Sequence, residues 1–177
     1  MMAVWENFST DHMRRAFRII AQLLASGLGA GYCPLAPGTV GSLAAAAAAW
    51  LFIPAAGRAM PIILLAVMIS GTFLASRAEE WWGQDPPRVV IDEMAGQWLG
   101  LWLLPKSIFV FLAAFLLFRF FDILKPWGID AAQELPRGWG VMADDLLAGL
   151  YTNILMQAAV LVFYRDHSLL TKMAGWG

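Results

Sequence analysis

The sequence predicts an all-α membrane protein: a helical bundle of about four to five apolar helices whose charged groups collect at one polar end. Three observations favour this fold class. Hydrophobic residues make up 60% of the 177 positions and charged residues 14%, whereas soluble domains have about 45–50% and about 25%. Apolar runs of helix length recur along the chain. Acidic residues stand near the ends of these runs, so they predict the polar, candidate active-site end of the bundle.

The chain is predicted to form a single membrane-embedded domain in three parts, with an amphipathic N-terminal helix at 1–30, the helical bundle at 31–164 and a tail at 165–177. Thr10 or Asp11 is placed to cap the first helix. Its apolar side carries Phe17, Ile20, Leu24 and Leu28. Three arginines lie on the other side, which favours a helix on the membrane surface, although packing against the protein body fits the same pattern.

Five apolar runs are predicted to form the bundle, at 43–56, 59–75, 89–104, 107–121 and 146–164. The last run has no charged residue and would extend about 28 Å as a helix, enough to cross the hydrocarbon. The other runs are shorter, so some of them are expected to be tilted or only partly embedded. Gly57 and Arg58 are predicted to form a turn, and 77–88 and 127–143 to form polar loops.

A loop rich in glycine and proline precedes the first run, and Thr39 or Ser42 is predicted to cap the helix that follows. A helix start preceded by glycines offers free backbone N–H groups to a phosphate. The candidate phosphate-binding residues of this segment are Gly38, Thr39 and Ser42. A plain turn before a helix fits the same residues, and the segment is not a P-loop, because no Gly-Lys-Ser/Thr follows.

The stretch from Arg88 to Leu104 combines an acidic pair with regularly spaced glycines. Asp92, Gly96 and Gly100 are four residues apart, so they share one helix face, and the glycines allow a second helix to approach closely. A carboxylate in an apolar run is costly and usually functional, although capping a helix start in headgroup water would also account for it. The same spacing recurs late in the chain, at Asp145, Gly149 and Asn153.

Folding the runs up and down brings five carboxylates to one end of the bundle: Asp92, Glu93, Asp122, Asp144 and Asp145. These candidate catalytic residues would repel one another without a cation, and their oxygen ligands suit Mg²⁺. Arg119 and Lys125 are the candidate residues for binding phosphate oxygens. The combination indicates phosphoryl transfer or hydrolysis on a lipid headgroup, either by metal-activated water or by an aspartate nucleophile. A structural salt-bridge network is the simpler alternative.

Several other classes are excluded or disfavoured. The net charge of −1 gives no basic surface for nucleic acid. His12 and His167 lie outside the apolar motifs, which disfavours a histidine nucleophile, and Cys33 lacks the arginine of a cysteine-phosphatase loop. No Gly-x-Ser-x-Gly elbow is present. The predicted partners are the membrane and a phospholipid substrate, and a homo-oligomer is compatible with the sequence.

Four ordered motifs carry a family resemblance: Pro-x-Ala-Pro-Gly-Thr-x-Gly-Ser at 34–42, Asp-Glu-x-x-Gly at 92–96, Phe-Arg-x-Phe-Asp-x-x-Lys-Pro at 118–126 and Asp-Asp-x-x-Ala-Gly at 144–149. Together the motifs resemble the phosphatidylglycerophosphatase A family. The resemblance implies an all-helical, Mg²⁺-dependent membrane phosphatase that converts phosphatidylglycerophosphate to phosphatidylglycerol in the bacterial inner membrane. The chain departs from the family pattern at two points of the loop. A further proline is expected shortly after Pro126, where the sequence has Trp127-Gly128-Ile129, and Arg137 stands where a glycine is expected.

Two alternative functions remain open. A CDP-alcohol-type headgroup transferase also needs Mg²⁺ and intramembrane carboxylates, but its Asp-x-x-Asp-Gly signature is absent from the sequence. A cation transporter usually holds its carboxylates near the middle of the membrane, whereas these stand at helix ends.

The basic residues predict the orientation. On the motif side they are Arg14, Arg15, Arg18, Arg77, Arg88, Arg119, Lys125 and Arg137; on the other side they are Arg58, Lys106, Arg165 and Lys172. Because basic residues concentrate on the cytoplasmic side of membrane proteins, the motif side is predicted to face the cytoplasm.

Overall fold

The structure is a computed structural model that describes residues 2–52, 59–84, 86–126 and 128–173, and the side chains of these ranges from residue 11 to residue 163. The described ranges contain a 3₁₀ turn at Ala30–Tyr32 and seven α-helices: α1 Met2–Ala25, α2 Pro37–Phe52, α3 Met60–Trp82, α4 Ile91–Leu101, α5 Ile108–Leu124, α6 Ile129–Gln133 and α7 Gly138–Met173. They contain no strand, which confirms the all-α prediction. The turn predicted at Gly57 and Arg58 lies outside the described residues.

Among the described residues, two helical segments are long and apolar enough to cross a membrane: α3 and the Gly138–Phe163 part of α7. Helix α2 is apolar but shorter, and the 11 residues of α4 extend only about 16 Å. The predicted count of four to five membrane helices is therefore not confirmed. Large apolar side chains face outward on α2, α3, α5 and α7, for example at Leu51, Ile62, Phe109 and Leu161. This extensive exposed apolar surface indicates a membrane protein.

Helix α1 differs from its predicted bounds. It begins at Met2, so Thr10 and Asp11 lie inside the helix and the prediction that either caps it is wrong. Ala21 and Ala25 are buried against α3, because their small side chains let the two helices approach. The predicted apolar residues remain exposed: Phe17, Ile20 and Leu24 lie on the helix, and Leu28 lies beyond its end. The helix thus packs on the protein body with one face and keeps another apolar face free.

Helix α2 begins at Pro37, so the prediction that Thr39 or Ser42 caps it is also wrong. Proline is favoured at the first helical position because its fixed φ suits the helix and its missing N–H would have no partner there. Ser42 lies one turn inside the helix, where its hydroxyl donates to the Gly38 carbonyl oxygen at 2.7 Å.

Two predicted loops are partly helical. Helix α3 continues to Trp82, so Arg77 and Glu80 form an exposed i,i+3 ion pair at 3.0 Å on a helix rather than in a loop. The segment 127–143 contains α6 and the start of α7. Arg137, just before α7, has a φ of 55°, in the left-handed region that glycine adopts most readily.

Helix α4 is central, since it packs against α2, α3, α5 and α7. Its contact with α7 depends on glycine. A Cβ added at Gly96 would overlap the Asp145 carbonyl oxygen, and one added at Gly149 would overlap the Gly96 carbonyl oxygen. This close approach confirms the predicted helix–helix seam. Because the backbones cross here, the acidic residues in the first turn of α4 lie beside Asp145, which is about two turns inside α7.

Candidate active site

Three of the five predicted carboxylates meet at the start of the α4–α7 seam. Asp92, Glu93 and Asp145 each offer an oxygen atom, and these atoms all lie within 4.8 Å of one another. Asp92 is only 6% exposed and Asp145 only 4%. Asp92 and Glu93 come from the first turn of α4, and Asp145 is brought beside them by the contact of its backbone with Gly96. The predicted convergence is therefore present for this trio.

In each of the two acidic pairs, Asp92-Glu93 and Asp144-Asp145, the backbone N–H of the second residue donates to a carboxylate oxygen of the first. The Glu93 N–H donates to Asp92 Oδ1 at 3.0 Å, and the Asp145 N–H donates to Asp144 Oδ1 at 3.0 Å. Other oxygens of the cluster have no protein partner: Glu93 Oε2 and Asp145 Oδ1 are buried without a hydrogen bond among the described residues. A buried acceptor without a partner is destabilising, so these atoms indicate a site that binds a ligand.

The other two carboxylates are paired with cations. Asp122 forms a salt bridge with Arg119 one turn earlier on α5. Lys125 ends α5 in a left-handed conformation and donates from Nζ to Asp144 Oδ2 at 2.5 Å. Burial lowers the pKa of Lys125, but the hydrogen bond and charge of Asp144 outweigh burial and raise this pKa above its ordinary value. The structure thus divides the five acids into a trio and two ion-paired residues.

Two of the predicted phosphate-binding residues of the glycine–proline segment lie at the site. Arg119 Nη1 donates to Ser42 Oγ at 3.3 Å. Gly38 is buried, and a Cβ at this position would overlap Glu93 Oε1 and lie 3.2 Å from Arg119 Nη1. Thr39 is half-buried and makes no hydrogen bond to these groups within the described part of the chain. Arg119, Ser42 and Gly38 therefore form one wall beside the trio.

Sequence reasoning missed Gln97. Its side chain is fully buried on α4, and neither its carbonyl oxygen nor its amide nitrogen has a partner among the described residues. Gln97 follows Glu93 by four positions, so both lie on one face of the helix. That spacing was available in the sequence, but a glutamine in an apolar run carries no charge that would single it out.

The trio fits a divalent cation. Three buried carboxylates with free oxygen atoms make the hard oxygen donor set that Mg²⁺ prefers. Arg119 and Lys125 neutralise Asp122 and Asp144, which leaves the trio as the acidic groups of the site without an ion-pair partner among the described residues. Arg119 stands between the trio and Ser42, where its guanidinium can also reach an anion. The arrangement can hold a cation and a phosphate next to each other.

The chain was compared with known proteins. The model of the phosphatidylglycerophosphatase A family matches residues 23–160, a range that includes every residue of the site described above. No solved structure matches the chain significantly.

Three relatives are similar over most of their length. A protein of Bacteroides thetaiotaomicron named putative phosphatidylinositol-3-phosphatase is 40% identical over 145 residues, which cover 77% of this chain and 91% of the relative. Phosphatidylglycerophosphatase A of Escherichia coli is 33% identical, with coverage of 82% and 83%. Phosphatidylglycerophosphatase A of Haemophilus influenzae is 39% identical, with coverage of 77% and 86%. From its motifs, its site and these matches, the chain belongs to the phosphatidylglycerophosphatase A family and is a phosphatase.

Proposed function

We propose that this chain hydrolyses phosphatidylglycerophosphate to phosphatidylglycerol and inorganic phosphate, and that the reaction requires Mg²⁺. The observation that carries the proposal is the buried trio of Asp92, Glu93 and Asp145 beside Arg119 and Ser42. Membership in the family supports the reaction, and the relatives from Escherichia coli and Haemophilus influenzae carry the name of this activity.

The residues have separate roles in this proposal. Asp92, Glu93 and Asp145 would hold the Mg²⁺ ion. When bound, the ion supplies positive charge next to the phosphate and favours deprotonation of water. Arg119 donates to the phosphate oxygens, while Asp122 holds its guanidinium in place. The ion pair of Lys125 and Asp144 fixes the turn of α7 that carries Asp145.

In the hydrolysis, a bond forms between a water oxygen and phosphorus, and the bond between phosphorus and the glycerol oxygen breaks. The glycerol oxygen then takes up a proton. An aspartate nucleophile would reach the same products in two steps, through a phospho-enzyme that water hydrolyses. The routes are distinguished by stopping the reaction with acid, using a lipid substrate whose phosphate group is radiolabelled. Only the second route leaves label on the protein.

An apolar cavity next to the site supports a lipid substrate. The cavity has a volume of about 410 Å³ and lies between α2 and α5, lined by Leu43, Ala46, Ala47, Trp50, Leu51, Ile108, Phe111, Leu112 and Phe115. Its lining includes Leu43, which follows Ser42 directly in α2, and Phe115, which lies one turn before Arg119 on α5. An acyl chain lying there would continue from a headgroup held at the trio. A soluble phosphate ester has no acyl chain, so it would gain no binding energy from this apolar surface.

The proposal is tested by phosphate release in detergent micelles, with phosphatidylglycerophosphate, phosphatidic acid and glycerol 3-phosphate compared at equal concentration. We expect the fastest release from phosphatidylglycerophosphate and loss of activity in EDTA that added Mg²⁺ restores. Equal or faster release from glycerol 3-phosphate would contradict a lipid substrate. Full activity in EDTA would contradict the metal requirement.

A second lipid is a candidate because of one relative. The Bacteroides thetaiotaomicron protein that is 40% identical is named for phosphatidylinositol 3-phosphate. Both lipids present a phosphomonoester at headgroup depth, so the same cation and arginine could act on either. Parallel measurement of kcat/KM on the two lipids decides between them. The headgroup transferase and the cation transporter receive no support from the comparisons.

We further propose that the protein lies in the bacterial inner membrane with the site facing the cytoplasm. The excess of basic residues on the motif side supports this orientation. In a Cys33→Ala background, single cysteines at Gln84 and Gln133 should resist an impermeant reagent added outside intact cells. A cysteine at Lys172 should react if α7 crosses the membrane. Labelling at Gln84 from outside would reverse the orientation.

A further inference from the structure

Gln97 is a buried polar residue that the roles described above do not use. Its relative exposure is 0%, and both polar atoms of its carboxamide lack a protein partner among the described residues. Buried polar side chains almost always have a hydrogen-bond partner, so a fully orphaned one calls for an explanation. Gln97 lies one turn beyond Glu93 on the same face of α4, deeper in the bundle than the trio.

The buried side-chain nitrogen and oxygen atoms without hydrogen-bond partners among the described residues are of two kinds, acceptors and donors. Around the site, the acceptors are Glu93 Oε2, Asp145 Oδ1 and the carbonyl oxygen of Gln97, and the donors are Gln97 Nε2 and Arg119 Nε. The two carboxylate oxygens suit a cation. The two donors lie on α4 and α5, which pack against each other, and they suit an anion. Arg119 already stands beside Ser42 and Gly38 in the wall next to Glu93.

We propose that Gln97 is a phosphate-binding residue whose amide group donates to an oxygen of the phosphoryl group held beside Arg119. The substrate that brings this phosphoryl group is the one given by the proposed function, on which the inference rests. A neutral amide supplies hydrogen bonds without adding charge, so it neither repels the phosphate nor competes with the carboxylates for a cation. The Gln97 carbonyl oxygen remains free to accept from Arg119 Nε or from water.

The test replaces Gln97 with methionine, which has a similar length and volume but cannot donate. If Gln97 binds phosphate, the affinity of the Mg²⁺-loaded protein for inorganic phosphate should fall about tenfold, as expected for loss of a hydrogen bond to a charged group. KM for the lipid should rise by a similar factor. The unfolding temperature without phosphate should stay the same or increase, because an unsatisfied buried amide has been removed.

Affinity is measured by titration of purified protein in detergent with inorganic phosphate and by the phosphate-induced shift in unfolding temperature. The matched control is Thr152→Val, because Thr152 is equally buried but its hydroxyl already donates to the Ala148 carbonyl oxygen at 2.8 Å. This control should bind phosphate like the wild type. The titration does not depend on turnover, so failure to hydrolyse the lipid would refute only the proposed function.

A second variant, Gln97→Glu, keeps the size and polarity of the side chain and serves if the methionine variant does not fold. It places an acid next to the phosphate, so we expect a loss of phosphate affinity greater than tenfold. Phosphate affinity within about twofold of the wild type in a folded Gln97 variant would overturn the inference and make Gln97 a buried structural residue.

Discussion

Both ends of the α4–α7 seam carry polar groups inside an apolar bundle, but the hydrogen-bond partners of these groups differ between the two ends. At the first end, the trio of Asp92, Glu93 and Asp145 leaves buried oxygen atoms without a partner in the described part of the chain. At the second end, side chains of α7 satisfy the backbone where α4 stops. Asn153 Nδ2 donates to the Trp102 carbonyl oxygen at 2.6 Å, and Gln157 Nε2 donates to the same oxygen at 3.2 Å.

The first end has the features of a binding site, and the second is a structural contact. We call the contact of Asn153 and Gln157 with the Trp102 carbonyl oxygen the brace. The last carbonyl groups of a helix have no partner within the helix, and in an apolar surrounding each must find one elsewhere. Asn153 and Gln157 supply partners for the Trp102 carbonyl oxygen. Among the described residues, the Trp102 indole N–H is the one buried side-chain donor at this end without a partner, and no buried carboxylate oxygen accompanies it. At the first end, the oxygen atoms without partners fit the cation and the phosphate of the proposed function. The same two helices therefore provide rigidity at one end and a binding site at the other.

The largest expected effect is at the trio. Asp92→Asn and Asp145→Asn should each reduce phosphate release about 100-fold or more, because each removes a charged ligand from the proposed cation site. The fold should persist, since asparagine has the same shape. Phosphate release and circular dichroism are measured together. Near-native turnover in both variants would show that the first end is not the active site.

The next largest effect is expected at the close backbone approach of α4 and α7. Gly149→Ala should lower the free energy of unfolding by about 1–3 kcal/mol, because its methyl group would overlap the Gly96 carbonyl oxygen and push the helices apart. Activity should fall with it, since the separation moves Asp145 away from Asp92. Gly100→Ala is the control: the nearest atom to its added Cβ is Thr152 Cγ2 at 3.1 Å, in a side chain rather than in the backbone. Equal effects at the two glycines would contradict a backbone crossing at Gly149.

The Lys125–Asp144 pair tests whether ion pairing supports the trio. Lys125→Met should lower activity about tenfold, because it leaves Asp144 buried, negatively charged and unpaired beside Asp145. The double variant Lys125→Met/Asp144→Asn should be more stable than the single variant, since both charges are then gone. Because the pKa of Lys125 is raised, the pair should persist at neutral pH, and on the alkaline side it should be lost as the pH rises through that pKa. Additive effects of the two substitutions would exclude a coupled pair.

The smallest effect is expected at the brace. Asn153→Ala should reduce the free energy of unfolding by about 1 kcal/mol. It removes the bond to the Trp102 carbonyl oxygen, which Gln157 still satisfies, and a longer one of 3.4 Å to the Gly100 carbonyl oxygen. Activity per folded molecule should not change, because Asn153 lies two turns from Asp145 and contacts no group of the site. Thermal unfolding and phosphate release on the same sample provide the measurement. A strong loss of turnover without loss of stability would extend the site along the whole seam.

Local patterns in the sequence determined the all-helical class, the positions of the long helices and the residue types of the site. Apolar runs, acidic residues at their ends and glycines at a spacing of four act within one helix or between direct neighbours, so the chain shows them without its fold. The bounds were less predictable. Helix α2 begins at Pro37 rather than after Ser42, and α3 carries Arg77 and Glu80 on its last turns rather than in a loop, because a polar helical turn and a loop share the same composition.

Only the tertiary structure decided which polar groups work together. The sequence placed five acids and two cations at one end of the bundle, but distances between helices assign Lys125 to Asp144 and leave Asp145 for the trio. The spacing of Arg119 and Asp122 permitted a pair within α5, yet it fits an anion-binding arginine equally well. Gln97 acquires its importance from burial between packed helices. The physical reason is that helix packing sets contacts between distant residues and excludes water from them, and neither effect is encoded in local spacing.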